Sequence, residues 1–117
     1  MKVSFDFDGT LGEHQVRKIA KSMVLAGHDV YVVTRRDGPP VCNRDLEQVC
    51  KEVGIDLSKV FYTSQSLKGD TLKTLGIEMH FDDDHEEIEY GKTVHESCFF
   101  LYVDPSFSLL RFMIQNK

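Results

Sequence analysis

Strand-like and helix-like segments alternate along this chain, and that alternation restricts the fold more than any other feature of the sequence. Short runs rich in Val, Phe and Tyr occupy residues 1–7, 28–34, 59–64, 77–82 and 97–104. Segments with helical periodicity or helix-ending glycines lie between most of them. Strands that alternate with helices form parallel β-α-β units, with helices on both faces of the sheet. We therefore predict an α/β fold, a three-layer sandwich built on a mainly parallel, Rossmann-like sheet of five strands.

The sequence signals for helices are clear in two segments and weaker in three others. Apolar residues at helical spacing, followed by Gly27, predict a helix over residues 13–26. Asn43 is a candidate N-cap for a second helix, which ends before Gly54. The remaining predictions are a short helix over residues 70–75, about one helical turn over 85–91 and a C-terminal helix over 106–117.

Length, charge and cysteine content restrict the class of protein. The chain of 117 residues is sufficient for one domain, residues 1–117, with a modest core. Lys and Arg number 14 against 19 Asp and Glu, and the net charge of −5 argues against binding nucleic acid through charge alone. No apolar run approaches the roughly 18 residues of a membrane span, so we expect no membrane association. Three cysteines without a CxxC pattern indicate reduced thiols and a cytoplasmic protein.

Polar side chains follow four of the predicted strands, at the edge of a parallel sheet where ligands bind. Asp6 and Asp8 follow the first strand, Thr34 ends the second, Lys68 comes after the third and residues 82–84 end the fourth as three aspartates. Clustered carboxylates repel one another unless a cation lies among them, and carboxylate oxygens suit Mg²⁺. An aspartate can attack phosphorus, while a hydroxyl and an ammonium can bind phosphoryl oxygens. The set is typical of phosphoryl transfer.

Taken in order, these residues resemble the four motifs of the haloacid dehalogenase (HAD) superfamily. The first motif is DFDGT at residues 6–10, the second is VYVVT ending at Thr34, the third is Lys68 and the fourth is the acidic pair in HFDD. The resemblance covers about the first 90 residues. It implies the α/β fold of that superfamily and a Mg²⁺-dependent phosphatase, a phosphomonoester hydrolase that works through an aspartyl-phosphate.

The resemblance also implies a role for each matching residue. Asp6 would be the nucleophile that becomes phosphorylated, and Asp8 would be the general acid and base. Thr34 would hydrogen-bond the transferring phosphoryl group, and Lys68 would neutralise that group and orient Asp6. The metal ligands would be Asp6, Asp8 (through its backbone carbonyl), Asp82 and Asp83.

Two assignments stay open at this stage. Lys68 is preferred as the site lysine over Lys73 and Lys59, because it opens a helix next to the expected site. The sequence does not distinguish which residue of the acidic pair lies closer to the metal, nor whether Asp84 takes part. His80 lies within a strand, so we expect it to pack or to hydrogen-bond in the fold rather than to bind a metal.

The substrate is defined only by class. Gly9 and Thr10 follow the first acidic pair, and Arg35 and Arg36 can grip a phosphate after the second motif. The segments between motifs are too short for a cap domain, so the chain resembles the capless branch of the superfamily. An open site suits a macromolecular substrate or closure by a second subunit. Two substrate classes compete: a small phosphorylated molecule, and a phosphorylated nucleic-acid end such as a 3′-phosphate, which the open site favours and the net charge of −5 disfavours. A catalytically weak HAD scaffold used for binding is the alternative to an enzyme.

Overall fold

Five strands, all paired in parallel, form one sheet. They are β1 (Lys2–Phe5), β2 (Asp29–Thr34), β3 (Val60–Tyr62), β4 (Met79–Asp82) and β5 (Phe99–Tyr102). Their order across the sheet is β3-β2-β1-β4-β5. The structure, a computed structural model, describes residues 1–104 and residue 116. The predicted C-terminal helix over 106–117 lies outside the described residues, apart from that one residue.

In the described part of the chain, two pairs of helices cover the sheet. They are α1 (His14–Leu25), α2 (Arg44–Val53), α3 (Gly69–Leu75) and α4 (His85–Val94). The first two pack together, as do the last two. Adjacent residues of β2 point into two separate hydrophobic cores, with Val32 in one and Val33 in the other. The predicted three-layer α/β sandwich is thus confirmed, and the sheet is parallel throughout rather than mainly parallel.

The intervals between the predicted motifs contain only elements of this sandwich. Between Asp8 and Thr34 the chain forms α1 and β2, and between Thr34 and Lys68 it forms a loop, α2, a short 3-10 turn and β3. Residues 1–104 therefore contain no inserted cap, as predicted. No helix in this part of the chain combines the length and the apolar character needed to cross a membrane.

One helix is longer than predicted. The sequence predicted about one turn over residues 85–91, but α4 has ten residues. Asp84 begins it, since its side chain accepts a hydrogen bond from the backbone N–H of Glu86. Glycine is needed at position 91, because a β-carbon there would lie only 2.4 Å from the ring of Phe100. The contact between helix and strand outweighs the low helix propensity of glycine.

Asn43 occupies the predicted N-cap position of α2, but its side chain makes no capping hydrogen bond. Its Nδ2 donates instead to the carbonyls of Asp37 and Val41, at 3.0 and 3.3 Å. Its Oδ1 accepts from Nη1 of Arg36 at 3.4 Å. The buried amide therefore fixes the loop between β2 and α2, which leads away from the carboxyl edge of the sheet.

Candidate active site

The carboxyl ends of β1 and β4 lie side by side at the centre of the sheet. This is where the strand order reverses, the position at which open parallel sheets form a ligand crevice. A cavity of about 540 Å³ lies there. Its lining includes Asp6, Asp8, Thr34, Arg35, Lys68 and Asp83. The structure thus brings residues from all four predicted motifs to one cavity.

A tight turn after β1 sets the spacing of the first motif. The backbone N–H of Leu11 donates to the carbonyl of Asp6 at 3.0 Å, and Gly9 within the turn has φ +78°. A β-carbon at Gly9 would lie 2.2 Å from Oδ2 of Asp83. The buried hydroxyl of Thr10 donates to Oδ1 of Asp83 at 3.3 Å. Gly9 and Thr10, predicted to bind substrate, therefore pack against Asp83 of the fourth motif.

Lys68 is the lysine that lies in the cavity. Its Nζ donates to Oδ1 of Asp6 at 2.6 Å and to Oδ2 of Asp82 at 2.8 Å. Burial opposes its charge, but the two carboxylates prevail and raise its pKa. Lys73 is exposed on α3, and Lys59 pairs with Asp29. Of the three lysines considered from the sequence, only Lys68 contacts the predicted nucleophile.

Three aspartates converge beside this lysine. One oxygen each of Asp6, Asp82 and Asp83 lies within 4.8 Å of the others. Burial, together with the nearby carboxylates of Asp82 and Asp83, raises the pKa of Asp6 to about 8, although Lys68 opposes the shift. One ammonium therefore does not balance the cluster, and the carboxylate oxygens offer hard ligands that can hold a metal ion.

The two aspartates of the acidic pair have different surroundings. Oδ2 of Asp82 accepts from both Lys68 and His80 at 2.8 Å, and its Oδ1 accepts from the backbone N–H of Asp84 at 3.1 Å. Burial opposes ionisation of Asp82, but the hydrogen bonds from His80 and Lys68 hold its pKa below the usual value. Asp83 is half-buried and faces Asp6 and the turn after β1. Asp83 thus has more room for a further ligand than Asp82.

Arg36 holds the carboxylate of Asp8. Its Nε and Nη2 donate to the two oxygens of Asp8 at 2.9 and 2.7 Å. The same guanidinium donates to Asp45 at 2.8 and 2.9 Å, and its central carbon lies 4.8 Å from the centroid of the Phe7 ring. These hydrogen bonds raise the pKa of Arg36 and lower that of Asp45 to about 2. Arg36, predicted to bind substrate, is therefore engaged with protein carboxylates.

Arg35 differs from its neighbour in lining the cavity. Its Nη2 donates to the carbonyl of Gln65 at 3.1 Å, and its Nε lies 3.5 Å from Oε2 of Glu87. Glu87 is buried, which raises its pKa, and its Oε1 accepts from the backbone N–H of Lys68 at 2.9 Å. Arg35 is thus the arginine with access to a ligand, and Glu87 connects it to the site lysine.

A hydroxyl and an aromatic ring also line the cavity. Thr34 is buried at the end of β2, where its Oγ1 accepts from the backbone N–H of Arg36 at 3.3 Å. His85 lines the cavity and is exposed, and its ring stacks on Tyr102 with centroids 4.0 Å apart at 17°. The cavity wall therefore extends from the carboxylate of Asp6 to the ring of His85.

His80 hydrogen-bonds in the fold as predicted, but neither it nor several other supporting residues were assigned to the site from the sequence. The buried side chain of His80 bonds Asp82, Ser4 bonds His80, and Glu87 bonds the backbone of Lys68. A signal was available for two of them. Ser4 and His80 each precede an aspartate by two residues on a strand, and such residues share one face of a sheet. Nothing local in the sequence connects Glu87 or Asp45 to the cavity.

These features define an α/β protein with an acidic cavity, which contains one buried lysine, at the switch point of its parallel sheet. No family model matches the chain, and comparison with curated proteins finds no match.

Proposed function

We propose that this protein is a phosphomonoester hydrolase of the HAD type, dependent on Mg²⁺, with Asp6 as the nucleophile. The observation that carries the proposal is the contact of Asp6 with Lys68 inside a cluster of three carboxylates at the sheet switch point. A nucleophilic carboxylate must be oriented and partly neutralised to attack a phosphate dianion. Lys68 meets both needs, since it holds one oxygen of Asp6 and leaves the other for attack.

We propose Mg²⁺ as the ion, because the three carboxylates could hold a metal and offer only oxygen ligands. Mg²⁺ takes hard oxygen ligands and commonly keeps several waters, so it needs few carboxylates. Asp6 and Asp83 would hold it, with the backbone carbonyl of Asp8, while Asp82 contributes chiefly through Lys68 and His80. When bound, the ion would neutralise negative charge on the phosphoryl oxygens. The raised pKa of Asp6 supports a bound cation at this place, because a cation would favour the ionised carboxylate that attack requires.

The proposed reaction has two displacements at phosphorus. In the first, an oxygen of Asp6 bonds to phosphorus as the ester P–O bond breaks, and Asp8, which begins the cycle protonated, gives its proton to the leaving oxygen. In the second, water attacks the aspartyl-phosphate while Asp8 takes its proton. The bond between phosphorus and Asp6 then breaks, which restores the carboxylate and releases inorganic phosphate. Thr34 and Lys68 would bind the phosphoryl oxygens throughout.

Arg36 is proposed to position Asp8 for both proton transfers. Each oxygen of Asp8 accepts one hydrogen bond from Arg36 and keeps a lone pair for a substrate oxygen. Asp45 and the Phe7 ring fix the guanidinium on its other sides. Arg35 remains as the arginine that can contact substrate. Because Arg35 itself lies within 3.7 Å of three carboxylates, those of Asp84, Glu86 and Glu87, the two arginines no longer favour a nucleic-acid end over a small phosphorylated molecule.

Phosphate release from a panel of monoesters tests the proposal. We expect the purified protein to hydrolyse a generic aryl phosphate with Mg²⁺ and to lose that activity in a chelator. The panel should include sugar phosphates, nucleotides and a 3′-phosphorylated oligonucleotide. A rate on the oligonucleotide that falls steeply with salt would assign a nucleic-acid substrate, since backbone contacts are salt-dependent. Absence of phosphate release from every ester would contradict the proposal and leave a binding scaffold.

Replacing Gly9 with alanine should reduce Mg²⁺-dependent turnover at least about tenfold. The new methyl group would collide with the carboxylate of Asp83 and displace it from Asp6. Gly27→Ala is the matched control, because Gly27 also has positive φ, +89°, but a β-carbon there would meet no atom within 4 Å. Both variants should lose about 1 kcal/mol of stability from backbone strain. Equal activity of the two variants would show that Asp83 need not be held next to Gly9.

A further inference from the structure

A continuous line of buried hydrogen bonds runs beneath the cavity, from β1 through β4 to the nucleophile. Oγ of Ser4 bonds Nδ1 of His80 at 2.6 Å, and Nε2 of His80 bonds Oδ2 of Asp82 at 2.8 Å. The same oxygen of Asp82 accepts from Lys68 at 2.8 Å, and Lys68 donates to Asp6 at 2.6 Å. We call these five residues the buried polar chain. All five are buried, and His80 is wholly inaccessible to solvent.

Burying this set of polar side chains in the centre of a sheet costs free energy of folding. Ser4 and His80 are direct neighbours across β1 and β4, where parallel strands usually carry aliphatic side chains. Phe5 and Phe81, one residue further along the same pair of strands, stack on each other at 4.5 Å in the apolar core. Polar residues buried at positions 4 and 80 contribute less to folding than a similar apolar pair would. Their contacts therefore point to a role in the site.

The direction of the chain follows from the chemistry of its members. Ionised Asp82 can only accept hydrogen bonds, so the proton in the hydrogen bond between His80 and Asp82 is bonded to Nε2 of His80. Nδ1 is held on its other side by Ser4, which fixes the plane of the ring. The oriented imidazole in turn fixes the carboxylate plane of Asp82. Oδ2 of Asp82 then faces Lys68, which places the ammonium against Asp6.

We propose that His80, fixed by Ser4, is a positioning residue that holds Asp82 so that Lys68 orients the nucleophile Asp6. This inference rests on the proposed phosphatase function. His80 touches neither the cavity nor a reacting atom, so it acts only through Asp82 and Lys68. Loss of its Nε2 donor would leave Asp82 held only by Lys68 and by the backbone N–H of Asp84, and the attack geometry of Asp6 would loosen. Outer contacts of this kind typically change activity by about 10–100-fold.

Two amide substitutions separate positioning from structure. The amide nitrogen of glutamine reaches as far as Nε2 of histidine, whereas the amide of asparagine ends near Nδ1. His80→Gln can therefore still donate to Asp82, and His80→Asn can contact Ser4 only. We expect His80→Gln to keep kcat within about fivefold of the wild type and His80→Asn to lose about 10–100-fold, with a smaller change in KM.

Two controls accompany the pair. His80→Asn is shorter by one methylene and leaves buried Asp82 without that donor, so its melting temperature should lie below that of His80→Gln. The two kcat values are therefore compared at a temperature at which both variants are fully folded. His95 is a second buried histidine, whose Nε2 bonds the carbonyl of Ile77 at 2.6 Å. His95→Asn removes that hydrogen bond outside the buried polar chain, so we expect lower stability with unchanged kcat.

Nitrogen-15 NMR of the metal-free wild-type protein gives a readout that does not depend on activity. We expect the His80 ring to carry its proton on Nε2. A proton on Nδ1 with unprotonated Nε2 would overturn the proposal, as would equal kcat values for His80→Gln and His80→Asn in an active protein. If the wild type itself releases no phosphate, the phosphatase function fails instead. The two failures are therefore distinguishable.

Discussion

Replacing Asp6 with asparagine should lower phosphate release by about 10⁴-fold or more, the scale on which enzymes lose turnover when their nucleophile is removed. Asparagine has nearly the same shape, so the hydrogen bond from Lys68 and the fold should persist. Its amide cannot form the acyl phosphate that the proposed reaction requires. The measurement is kcat on an aryl phosphate with saturating Mg²⁺. Turnover of Asp6→Asn within tenfold of the wild type would exclude Asp6 as the nucleophile.

The same substitution should alter how stability depends on pH in the metal-free protein. Burial and neighbouring carboxylates raise the pKa of Asp6 from 3.8 to about 8. Stability from a group whose pKa is raised in the folded state is fully present below the unfolded pKa and is lost as pH rises through the folded pKa. The wild type should therefore lose stability from this group between about pH 4 and pH 8, and Asp6→Asn should not.

Chemical unfolding with a chelator measures this difference. Above about pH 8 we expect Asp6→Asn to be about 1–3 kcal/mol more stable than the wild type, the usual cost of a poorly compensated buried group. Below about pH 4 the two should be nearly equal. Asp37→Asn is the control, because Asp37 is exposed, and it should leave the pH dependence unchanged. A stability difference between wild type and Asp6→Asn that is constant with pH would show that Asp6 is not the group that titrates.

The convergence of Asp6, Thr34, Lys68 and the acidic pair could be anticipated because each follows a strand, and parallel strands end at a common edge. The alternation of apolar runs was sufficient to identify the strands themselves. The length of α4 could not be anticipated in the same way. Gly91 suggests an early end to the helix, and only the packing of Phe100 against it explains why the helix continues.

Contacts between distant residues mark the limit of the sequence argument. The interpretation of Arg36 as a substrate ligand rested on its place after Thr34, but its guanidinium reaches Asp8 and Asp45, which are 28 and 9 residues away. The bond from Ser4 to His80 depends on the pairing of β1 with β4. That pairing follows from the strand order, because β4 lies on the side of β1 opposite β2. Local sequence carries no information on that choice.

Replacing Lys68 with methionine should have a large effect on both stability and activity. Methionine fills a similar volume but leaves the buried carboxylates of Asp6 and Asp82 without their shared cation. Removing one partner of a buried ion pair typically costs about 3–5 kcal/mol. Activity should fall by about 10²–10³-fold, because a preorganised donor to the phosphoryl group is lost together with the orientation of Asp6.

Lys73→Met is the matched control for this prediction. Lys73 is exposed on α3, so the same change of residue should alter stability by about 0.5 kcal/mol or less and leave kcat unchanged. Stability is best compared by urea unfolding near pH 10 with a chelator, because the pKa of Asp6 is about 8 and rises further when Lys68 is lost, so protonation would relieve the two carboxylates at lower pH. Near pH 4 protonation of Asp6 should recover part of the stability lost in Lys68→Met, since the raised pKa favours the neutral acid. Equal stability of the two lysine variants at pH 10 would mean that Lys68 does not balance the buried carboxylates, and the basis for its role in orienting Asp6 would be lost.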